Sequence, residues 1–212
     1  MNKSTTELTI DYIKEHPHIK NCLKKGLINY SSLARLISKE LKIEKTSSKE
    51  AILIAARRFQ EKLKKELVNE QKIRTLLSKS EIDIKNKINV LILSKHIDLD
   101  YIIEFQKNVN KENGTLYVLE GTDNYTLIVQ EKHAEKLLKK LRNTLIKAHR
   151  ELAIIDFKSP EEIEEITGVI SYLSSLFAEN GVNIVEFLSC WRDTVFVIER
   201  KDVNKAIGFL NF

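Results

Sequence analysis

Two glycines flank one apolar helix pattern near the end of a chain that has only six glycines in 212 residues. Gly168 precedes the segment VISYLSSLFAEN, and Gly181 follows it. Glycine adopts backbone conformations that other residues avoid, so Gly168 lets the main chain approach a ligand closely. The N–H groups of residues 168–170 are then expected at a helix N-terminus, where the helix dipole favours a carboxylate. Asn183, at the start of the next predicted strand, offers a side-chain amide to a polar ligand.

Both glycines also have a purely structural explanation. Gly181 stands where helices commonly end with a residue in the left-handed conformation. Gly168 stands where Ser, Thr or Asp usually caps a helix, so it favours a ligand more than Gly181 does. Asn183 fits a surface position as well as a ligand contact.

A second group of polar residues lies in the first third of the chain. The segments YSSLARLISKELKI and SSKEAILIAARRF have the order of a helix-turn-helix within residues 29–65. Arg57 and Arg58 lie beyond the first turns of the second helix, whereas recognition helices usually contact bases near their start. The alternative is a helical domain that packs on the rest of the chain or dimerises. The residues offered to DNA phosphates and bases are Ser47, Ser48, Lys49, Arg57 and Arg58.

The other reactive residues predict neither catalysis nor a metal or cofactor. His16 and His18 flank a proline and do not have the spacing of a helical metal pair, and the other three histidines are isolated. Cys22 and Cys190 lie far apart without a C-x-x-C pattern, which fits a reducing compartment. The sequence has no recognisable catalytic triad, P-loop or G-x-G-x-x-G motif. We therefore expect a non-catalytic protein.

The elements that position these residues change character near residue 70. Before it, apolar residues recur at helical spacing, and Pro17 divides the first such pattern into two helices. Two more helical patterns follow at 29–43 and 46–67. Residues 1–70 are therefore predicted to form an all-helical domain of three or four helices.

From about residue 72 the sequence alternates strand and helix patterns. The residues Gly121-Thr122-Asp123-Asn124 predict a tight hairpin turn between two apolar strands, and a second hairpin is predicted to turn near Arg192 and Asp193. The predicted order is a βαββαβ unit that is then repeated with an early end. The fold class is therefore α+β: an all-helical domain followed by two ferredoxin-like βαββαβ units with antiparallel sheets, one at 71–150 and one at 151–212.

The segment from Thr167 to Leu210 resembles the ACT domain, the small-molecule regulatory module of aspartate kinases and other amino-acid enzymes. The resemblance is carried by the Gly-Val at the helix start, by LFAENGVNI after the helix and by DTVFVI in the third strand. It covers residues 151–212, and it extends to 72–150 only through predicted topology. An amino acid commonly binds in this family between this loop and the second strand of a paired ACT domain. The resemblance therefore implies ligand binding by Thr167, Gly168, Val169, Asn183 and Ile184.

Three features depart from the family pattern. Many ACT domains have Asp-x-Pro-Gly before the helix, whereas this chain has Glu165-Ile166-Thr167-Gly168. The first unit, at SKHIDLDYII, has no glycine in the equivalent loop, which indicates a structural partner without its own ligand site. The second unit ends before a fourth strand, and the segment near 72–88 is the candidate to supply it.

Charge is distributed unevenly along the chain. Lys and Arg outnumber Asp and Glu by 15 to 9 in residues 1–70 and by 15 to 10 in 71–150, whereas 151–212 have 5 against 11. These differences indicate segments with different surroundings, or simply solvated helix faces.

Three functions follow from these observations. The first is a non-catalytic regulatory protein that senses a small molecule, by resemblance an amino acid, as a homodimer. The second is a ligand-responsive transcription regulator that binds DNA through residues 29–65, and the third is a scaffold that regulates an amino-acid biosynthetic enzyme in trans. No apolar run approaches the roughly 18 residues of a membrane span, and the N-terminus lacks a secretory signal, so we expect a cytoplasmic protein without a membrane partner.

Overall fold

The computed structural model describes residues 3–44, 48–64 and 68–212. Contacts within the chain divide it into two compact units, Met1–Lys72 and Ile73–Phe212. The boundary falls within one helix. The predicted three-part division at 1–70, 71–150 and 151–212 stays a prediction.

The described part of the first unit packs four helices around one apolar core. Ser4 and Glu7 form a reciprocal capping box at its first helix, with the Glu7 N–H donating to Ser4 Oγ at 3.2 Å. Pro17 occupies the first position of the second helix, where its missing N–H costs nothing, and this confirms the predicted break. Ile13, Leu23 and Ile37 are fully buried. The helices are α1 Thr5–Glu15, α2 Pro17–Lys24, α3 Tyr30–Glu40 and α4 Lys49–Lys64.

The second unit alternates strands and helices in two rounds of the same order. A helix that spans the unit boundary precedes both rounds. Short 3₁₀ turns at Arg142–Thr144, Glu161–Glu165 and Arg200–Asp202 complete the connections. The elements are α5 Val68–Leu77, β1 Glu81–Ser94, α6 Leu99–Lys111, β2 Leu116–Glu120, β3 Asn124–Gln130, α7 Glu131–Lys140, β4 Leu145–Lys158, α8 Val169–Glu179, β5 Ile184–Cys190, β6 Asp193–Glu199 and α9 Val203–Phe209.

The strand-like interpretation of the residues just after 72 is wrong. Helix α5 continues to Leu77, and β1 begins only at Glu81. Ile73, Leu76 and Leu77 are spaced three and four apart and are all buried, which is the period of a helix rather than a strand. The β-branched residues that suggested a strand lie further along, within β1.

The strands form one continuous antiparallel sheet rather than two separate ones. Its order is β2-β3-β1-β4-β6-β5. The long strands β1 and β4 lie at its centre and pair along their whole length, from Glu81 opposite Lys158 to Leu93 opposite Leu145. Residues 81–86 thus lie beside β4 in the second half of the sheet, which is the contribution that the segment near 72–88 was expected to make.

Both central strands carry a bulge at the same place. Lys87 and Glu151 are each the seventh residue of a 14-residue strand, and each has φ +58°. The pairing register shifts around both residues. A bulge inserts one extra residue and bends the strand, so β1 and β4 each change direction at their midpoint. Residues 81–86 of β1 and 152–158 of β4 therefore lie in one half of the sheet, and residues 88–94 of β1 and 145–150 of β4 lie in the other.

Helices cover one face of this sheet. Helices α6 and α7 pack on β1, β2 and β3, in a cluster that includes Leu91, Leu127 and Leu137. Helices α8 and α9 and the end of α5 pack on β4 and β6, around Phe157 and Phe177. The two helix layers thus bury one face of each half.

The other face is buried by the sheet itself. A third cluster consists of strand residues that are at most 2% exposed: Ile88, Val90, Ile128, Leu152, Ile154, Val195 and Val197. Tyr117 on β2 and Leu188 on β5, from the two opposite edge strands, both pack against it. Burial and the nearby carboxylates of Asp156 and Asp193 raise the pKa of Tyr117. These contacts require the sheet to curl, so that its two ends approach each other over a shared apolar interior.

Candidate functional site

A cavity of about 280 Å³ lies at the start of α8. Its walls come from three places: the 3₁₀ turn after β4, the first turn of α8, and the end of β5 with the turn that follows. Most of the side chains are apolar, and only one lining residue carries a charge. The lining residues are Ile163, Glu164, Ile166, Gly168, Val169, Ile170, Ser171, Ser189 and Trp191.

Gly168 opens this helix in a left-handed conformation, with φ +92° and ψ +5°. Only glycine adopts this region without strain, so the residue type is set by the backbone. A Cβ at this position would meet only Ile73 Cδ1, at 3.7 Å, so lack of space does not explain the glycine. Within the described part of the chain, no side chain caps α8, and its first turn has no acidic residue. The first turn of α8 therefore borders the cavity, and Gly168 supplies no side-chain acceptor for its N–H groups.

Trp191 forms the outer wall of the cavity and is 60% exposed. It lies in the two-residue turn between β5 and β6 with φ +51°, which is uncommon for a bulky residue. Arg192 fixes this turn, because its Nε donates to the Ser159 carbonyl at 2.7 Å, and the Ser159 N–H donates to the Arg192 carbonyl at 2.9 Å. The Arg192 guanidinium lies 5.6 Å from the centre of the Trp191 ring. The tryptophan is thus held in place by the backbone at the end of β4.

The charges around the cavity have opposite signs at two places. The N-terminus of α8 carries the positive end of the helix dipole. The 3₁₀ turn Glu161–Glu165 contains four glutamates, all exposed, and Glu164 among them lines the cavity. A ligand with both a carboxylate and an ammonium group matches this arrangement, because each group faces its opposite charge.

The structure brings together part of the predicted ligand set. Gly168 and Val169 line the cavity, and exposed Thr167 immediately precedes them. Asn183 and Ile184 lie at the other end of α8, because the helix runs for 11 residues, or about 16 Å, before the chain returns as β5. Within one chain these two residues are therefore apart from the cavity.

Gly181 has a local structural role at that far end. It has φ +62°, and its N–H donates to the Ala178 carbonyl at 3.0 Å. The Val182 N–H donates to the Phe177 carbonyl at 2.9 Å, and both Val182 and Phe177 are buried in the same cluster. These bonds and the apolar contact form a Schellman motif, which ends α8 sharply and starts the return to β5.

Seven of the cavity residues were not in the predicted ligand set: Ile163, Glu164, Ile166, Ile170, Ser171, Ser189 and Trp191. Ser189 and Trp191 come from the β5–β6 hairpin, which the sequence identified as a hairpin only. A signal was available, because the only tryptophan of the chain stands in a predicted turn next to Arg192 and Asp193.

The equivalent place in the first half is closed. Helix α6 has Asp98 as its N-cap, and the Asp98 side chain accepts a hydrogen bond from the Tyr101 N–H at 3.1 Å. The loop before α6 is tied to the end of β2 by an ion pair between Lys95 and Glu120 at 2.7 Å. Tyr125 also donates to Glu120, at 3.0 Å. The absence of a glycine in SKHIDLDYII thus corresponds to a helix start that its own aspartate satisfies.

The residues predicted to contact DNA lie on or next to α4. Lys49, Arg57 and Arg58 are exposed, whereas Ser47 lies outside the described residues. Ser48 accepts a hydrogen bond from the Ala51 N–H at 3.0 Å, so its hydroxyl acts as a helix cap. The Arg57 guanidinium lies 5.2 Å from the centre of the Tyr30 ring, which joins α4 to α3. Arg58 and Lys49 thus remain directed to solvent.

Comparison with known proteins gives structural similarity only. No protein-family model matches the sequence, and no curated protein matches it. Similar solved structures include aspartate kinase from Clostridium acetobutylicum, with 14% identity and a TM-score of 0.47 over 61% of this chain and 33% of that one. Another is Escherichia coli aspartokinase III with aspartate and ADP, with 12% identity and a TM-score of 0.47 over 61% of this chain and 32% of that one. The regulatory subunit of aspartate kinase from Thermus thermophilus is similar over 61% of this chain and 92% of its own length, with 11% identity and a TM-score of 0.47.

The similarity spans about a third of the two aspartate kinases. Among the described residues, none of the helices has the length and apolar character needed to cross a membrane.

Proposed function

We propose that residues 73–212 form two ACT-type, ferredoxin-like units that share β1 and β4, and that the unit containing α8 binds an amino acid as a regulatory effector. Two arguments support the two-unit interpretation. Each half repeats the order strand, helix, strand, strand, helix. Each half also places its first strand between its third strand and a central strand borrowed from the other half. The protein acts in this proposal as a non-catalytic sensor.

The observation that carries the proposal is the uncapped, left-handed start of α8 beside a mainly apolar cavity. A ligand carboxylate is expected to accept hydrogen bonds from the N–H groups of residues 168–170, assisted by the helix dipole. The α-ammonium group is expected to face Glu164. Ile166, Ile170 and Trp191 then surround the ligand side chain, which favours an apolar amino acid over a charged one.

The only tryptophan of the chain lines the cavity, so intrinsic fluorescence reports directly on its occupation. We expect leucine, isoleucine, valine or phenylalanine to change the fluorescence of Trp191 and to raise the melting temperature, whereas lysine and aspartate leave both unchanged. At a ligand concentration of 100 times Kd, binding adds about 2.7 kcal/mol to the free energy of unfolding. Analogues of the active amino acid that lack either the ammonium or the carboxylate group should bind at least about tenfold more weakly, which corresponds to about 1.4 kcal/mol.

A response to none of the twenty amino acids at millimolar concentration, in either fluorescence or melting temperature, would remove amino-acid sensing from consideration. A response of equal size to the analogue without a carboxylate would instead show that the amides of α8 are not the anchor.

The proposed sensor is a homodimer, because Asn183 and Ile184 can reach a ligand at α8 only from a second copy of the chain. Analytical ultracentrifugation with and without the active amino acid tests this part. A monomer at all concentrations, with full ligand binding, restricts the site to Gly168, Val169 and the other cavity residues of one chain.

A second candidate function is ligand-responsive DNA binding through residues 29–65. It is favoured by the exposure of Lys49, Arg57 and Arg58 along α4. We expect Arg57→Glu combined with Arg58→Glu to abolish salt-dependent retention on duplex DNA in this case. Unchanged retention by the double variant removes these residues from any DNA contact.

A further inference from the structure

A run of 15 residues in the first half of the sheet carries six cations and no carboxylate. It extends from residue 136 to 150, with the sequence KLLKKLRNTLIKAHR, and covers the end of α7, the 3₁₀ turn Arg142–Thr144 and the start of β4. All six cationic side chains are exposed. We call the cations of this segment the basic ridge, and its members are Lys136, Lys139, Lys140, Arg142, Lys147 and Arg150.

The cations of the basic ridge lack carboxylate partners within the described chain. Lys95 and Lys132, nearby in the same half, lie 2.7 and 3.9 Å from Glu120 and Glu112 respectively. In the basic ridge the one described contact is that of Lys140, whose Nζ lies 5.7 Å from the centre of the Tyr101 ring. Like charges without partners repel each other in the folded protein, and a bound anion would reduce this repulsion.

The fold itself does not require these charges. The second half of the sheet places α9 after β6 as the first half places α7 after β3, and in this order of elements the start of β1 corresponds to the start of β4. The corresponding segments are KAIGFLNF at 205–212 and EIDIKN at 81–86, which together carry two cations and two carboxylates. Ile82 and Ile146 occupy matching positions and are both exposed, at 40% and 62%. The same backbone is thus neutral in one half and strongly cationic in the other.

Local helix electrostatics explains only part of the difference. Lys139 and Lys140 lie in the last turn of α7, where the helix dipole favours cations. Lys147 and Arg150 lie on a strand and gain nothing from a helix dipole. These strand cations therefore need a separate explanation.

We propose that the basic ridge binds the phosphodiester backbone of a nucleic acid. Two guanidinium groups, on Arg142 and Arg150, have the planar geometry that pairs with phosphate oxygens, and the lysines supply further charge. A regular array of phosphates matches six cations spread over a helix end and a strand better than a single small anion does. The exposed Ile146 beside them offers an apolar contact to a ribose or base. The net charge of +5 attracts the whole chain to polyanions.

The test uses the full chain without added amino acid and measures fluorescence anisotropy of a labelled single-stranded RNA and a labelled DNA duplex, both of mixed sequence. We expect a dissociation constant in the micromolar range at about 50 mM salt, and a slope of log K against log salt of about −3 if four phosphates are contacted. The variant Lys139→Ala, Arg142→Ala, Lys147→Ala, Arg150→Ala should bind at least about tenfold more weakly and with a shallower slope, because each lost phosphate contact reduces the slope by about one.

Two matched variants separate the basic ridge from overall charge. The first removes four exposed lysines of the same unit that lie outside the ridge, by substituting Lys107, Lys111, Lys201 and Lys205 with Ala, and it should bind nearly as the unmodified chain does. The second is Arg57→Ala combined with Arg58→Ala, which tests the helical unit. Circular dichroism melting of each variant shows that it is folded.

Four results would overturn the proposal. Neither probe binds at low salt, or the binding does not depend on salt. Nucleic-acid binding weakens as much in the first matched variant as in the ridge variant, or it is lost only in the Arg57/Arg58 variant. The chain could instead associate with itself in a salt-sensitive manner, lose this association in the ridge variant and bind no nucleic acid. That result would assign the basic ridge to contact with a second copy of the chain and would also overturn the proposal. Comparison of the two probes shows whether single or double strands are bound.

Discussion

The starts of α6 and α8 occupy the same place in two similar halves of the sheet, yet they differ in what satisfies their N–H groups. At α6 the Asp98 carboxylate accepts from the Tyr101 N–H, and the preceding loop is held by Lys95 and Glu120. At α8 a left-handed Gly168 leaves the helix start without a side-chain cap, beside the cavity. One backbone plan therefore has two outcomes, because the residue at the cap position decides whether a side chain closes the helix start or leaves it open.

The turns opposite the two helix starts differ in the same way. The end of β2, next to the β2–β3 turn, contributes Glu120 to a closed network with Lys95 and Tyr125. The β5–β6 turn is tied to Ser159 through Arg192 instead, which leaves the Trp191 side chain available to form the cavity wall. Charged and hydrogen-bonded side chains therefore close the helix start in the first half, whereas in the second half the helix start borders a cavity lined mainly by apolar side chains.

The largest effect is expected from Gly168→Ala. An L-residue in the left-handed region costs about 1–2 kcal/mol, and relaxation of that strain moves the amides of α8, so ligand affinity should fall more than tenfold. Urea unfolding and calorimetric titration measure the two effects. Gly208→Ala is the matched control, because a Cβ there meets nothing within 4 Å and Ala favours the helix. Equal stability and equal ligand affinity of Gly168→Ala and Gly208→Ala would contradict a special role of Gly168.

The next effect is expected from Trp191→Gly. It removes the cavity wall, so affinity for the active amino acid should fall about tenfold, equivalent to about 1.4 kcal/mol. The melting temperature should not fall, because glycine adopts the φ of +51° without strain and the tryptophan is largely exposed. Calorimetry is the measurement, since the variant has no tryptophan to report binding. A large loss of stability with unchanged affinity would show that Trp191 is a structural residue only.

A smaller effect is expected from Asp98→Ala in the closed half. Loss of an N-cap side chain should lower the free energy of unfolding by about 1 kcal/mol. Ligand affinity and stoichiometry should stay the same, because the open site lies at α8. Urea unfolding followed by calorimetric titration of the same sample tests both statements. A second equivalent of bound amino acid in this variant would mean that the cap alone had kept the first half closed.

The smallest effect concerns the pH dependence of the closed half. Hydrogen bonds from Lys95 and Tyr125 lower the pKa of Glu120 below its usual value. A carboxyl group with a lowered pKa in the folded protein stabilises it above the unfolded-state pKa, and this contribution is lost as pH falls through the folded-state pKa. The melting temperature of the unmodified chain should therefore fall slightly more between pH 6 and pH 3 than that of Glu120→Gln. A smaller fall for the unmodified chain than for Glu120→Gln would show that the hydrogen bonds to Glu120 do not stabilise the first half of the sheet.

Much of the architecture follows from local sequence patterns. The break at Pro17, the hairpin turn at residues 121–124 and the repeated order of strands and helices all depend on neighbouring residues, and the structure has each of them. The strand pattern predicted from about residue 72 begins too early, because Ile73, Leu76 and Leu77 form a helical stripe too short to outweigh the strand pattern that follows. A single sheet instead of two could not be predicted, since pairing of β1 with β4 joins residues more than 50 positions apart.

The candidate site likewise contains residues that the local sequence could predict and residues that it could not. Gly168 and its amides were predictable, because the requirement for glycine is local. Trp191, Ser189 and the isoleucines of the 3₁₀ turn reach the cavity only through the pairing of β4, β5 and β6. Such contacts depend on the completed sheet, and helical or strand periodicity does not encode them.

The two bent central strands also limit how this chain can be divided. A fragment that stops before Leu145 leaves β1 paired only over residues 88–94, and a fragment that starts at Leu145 leaves β4 paired only over residues 152–158. We therefore expect that the two halves of the sheet do not fold as separate fragments and that they melt in a single cooperative transition.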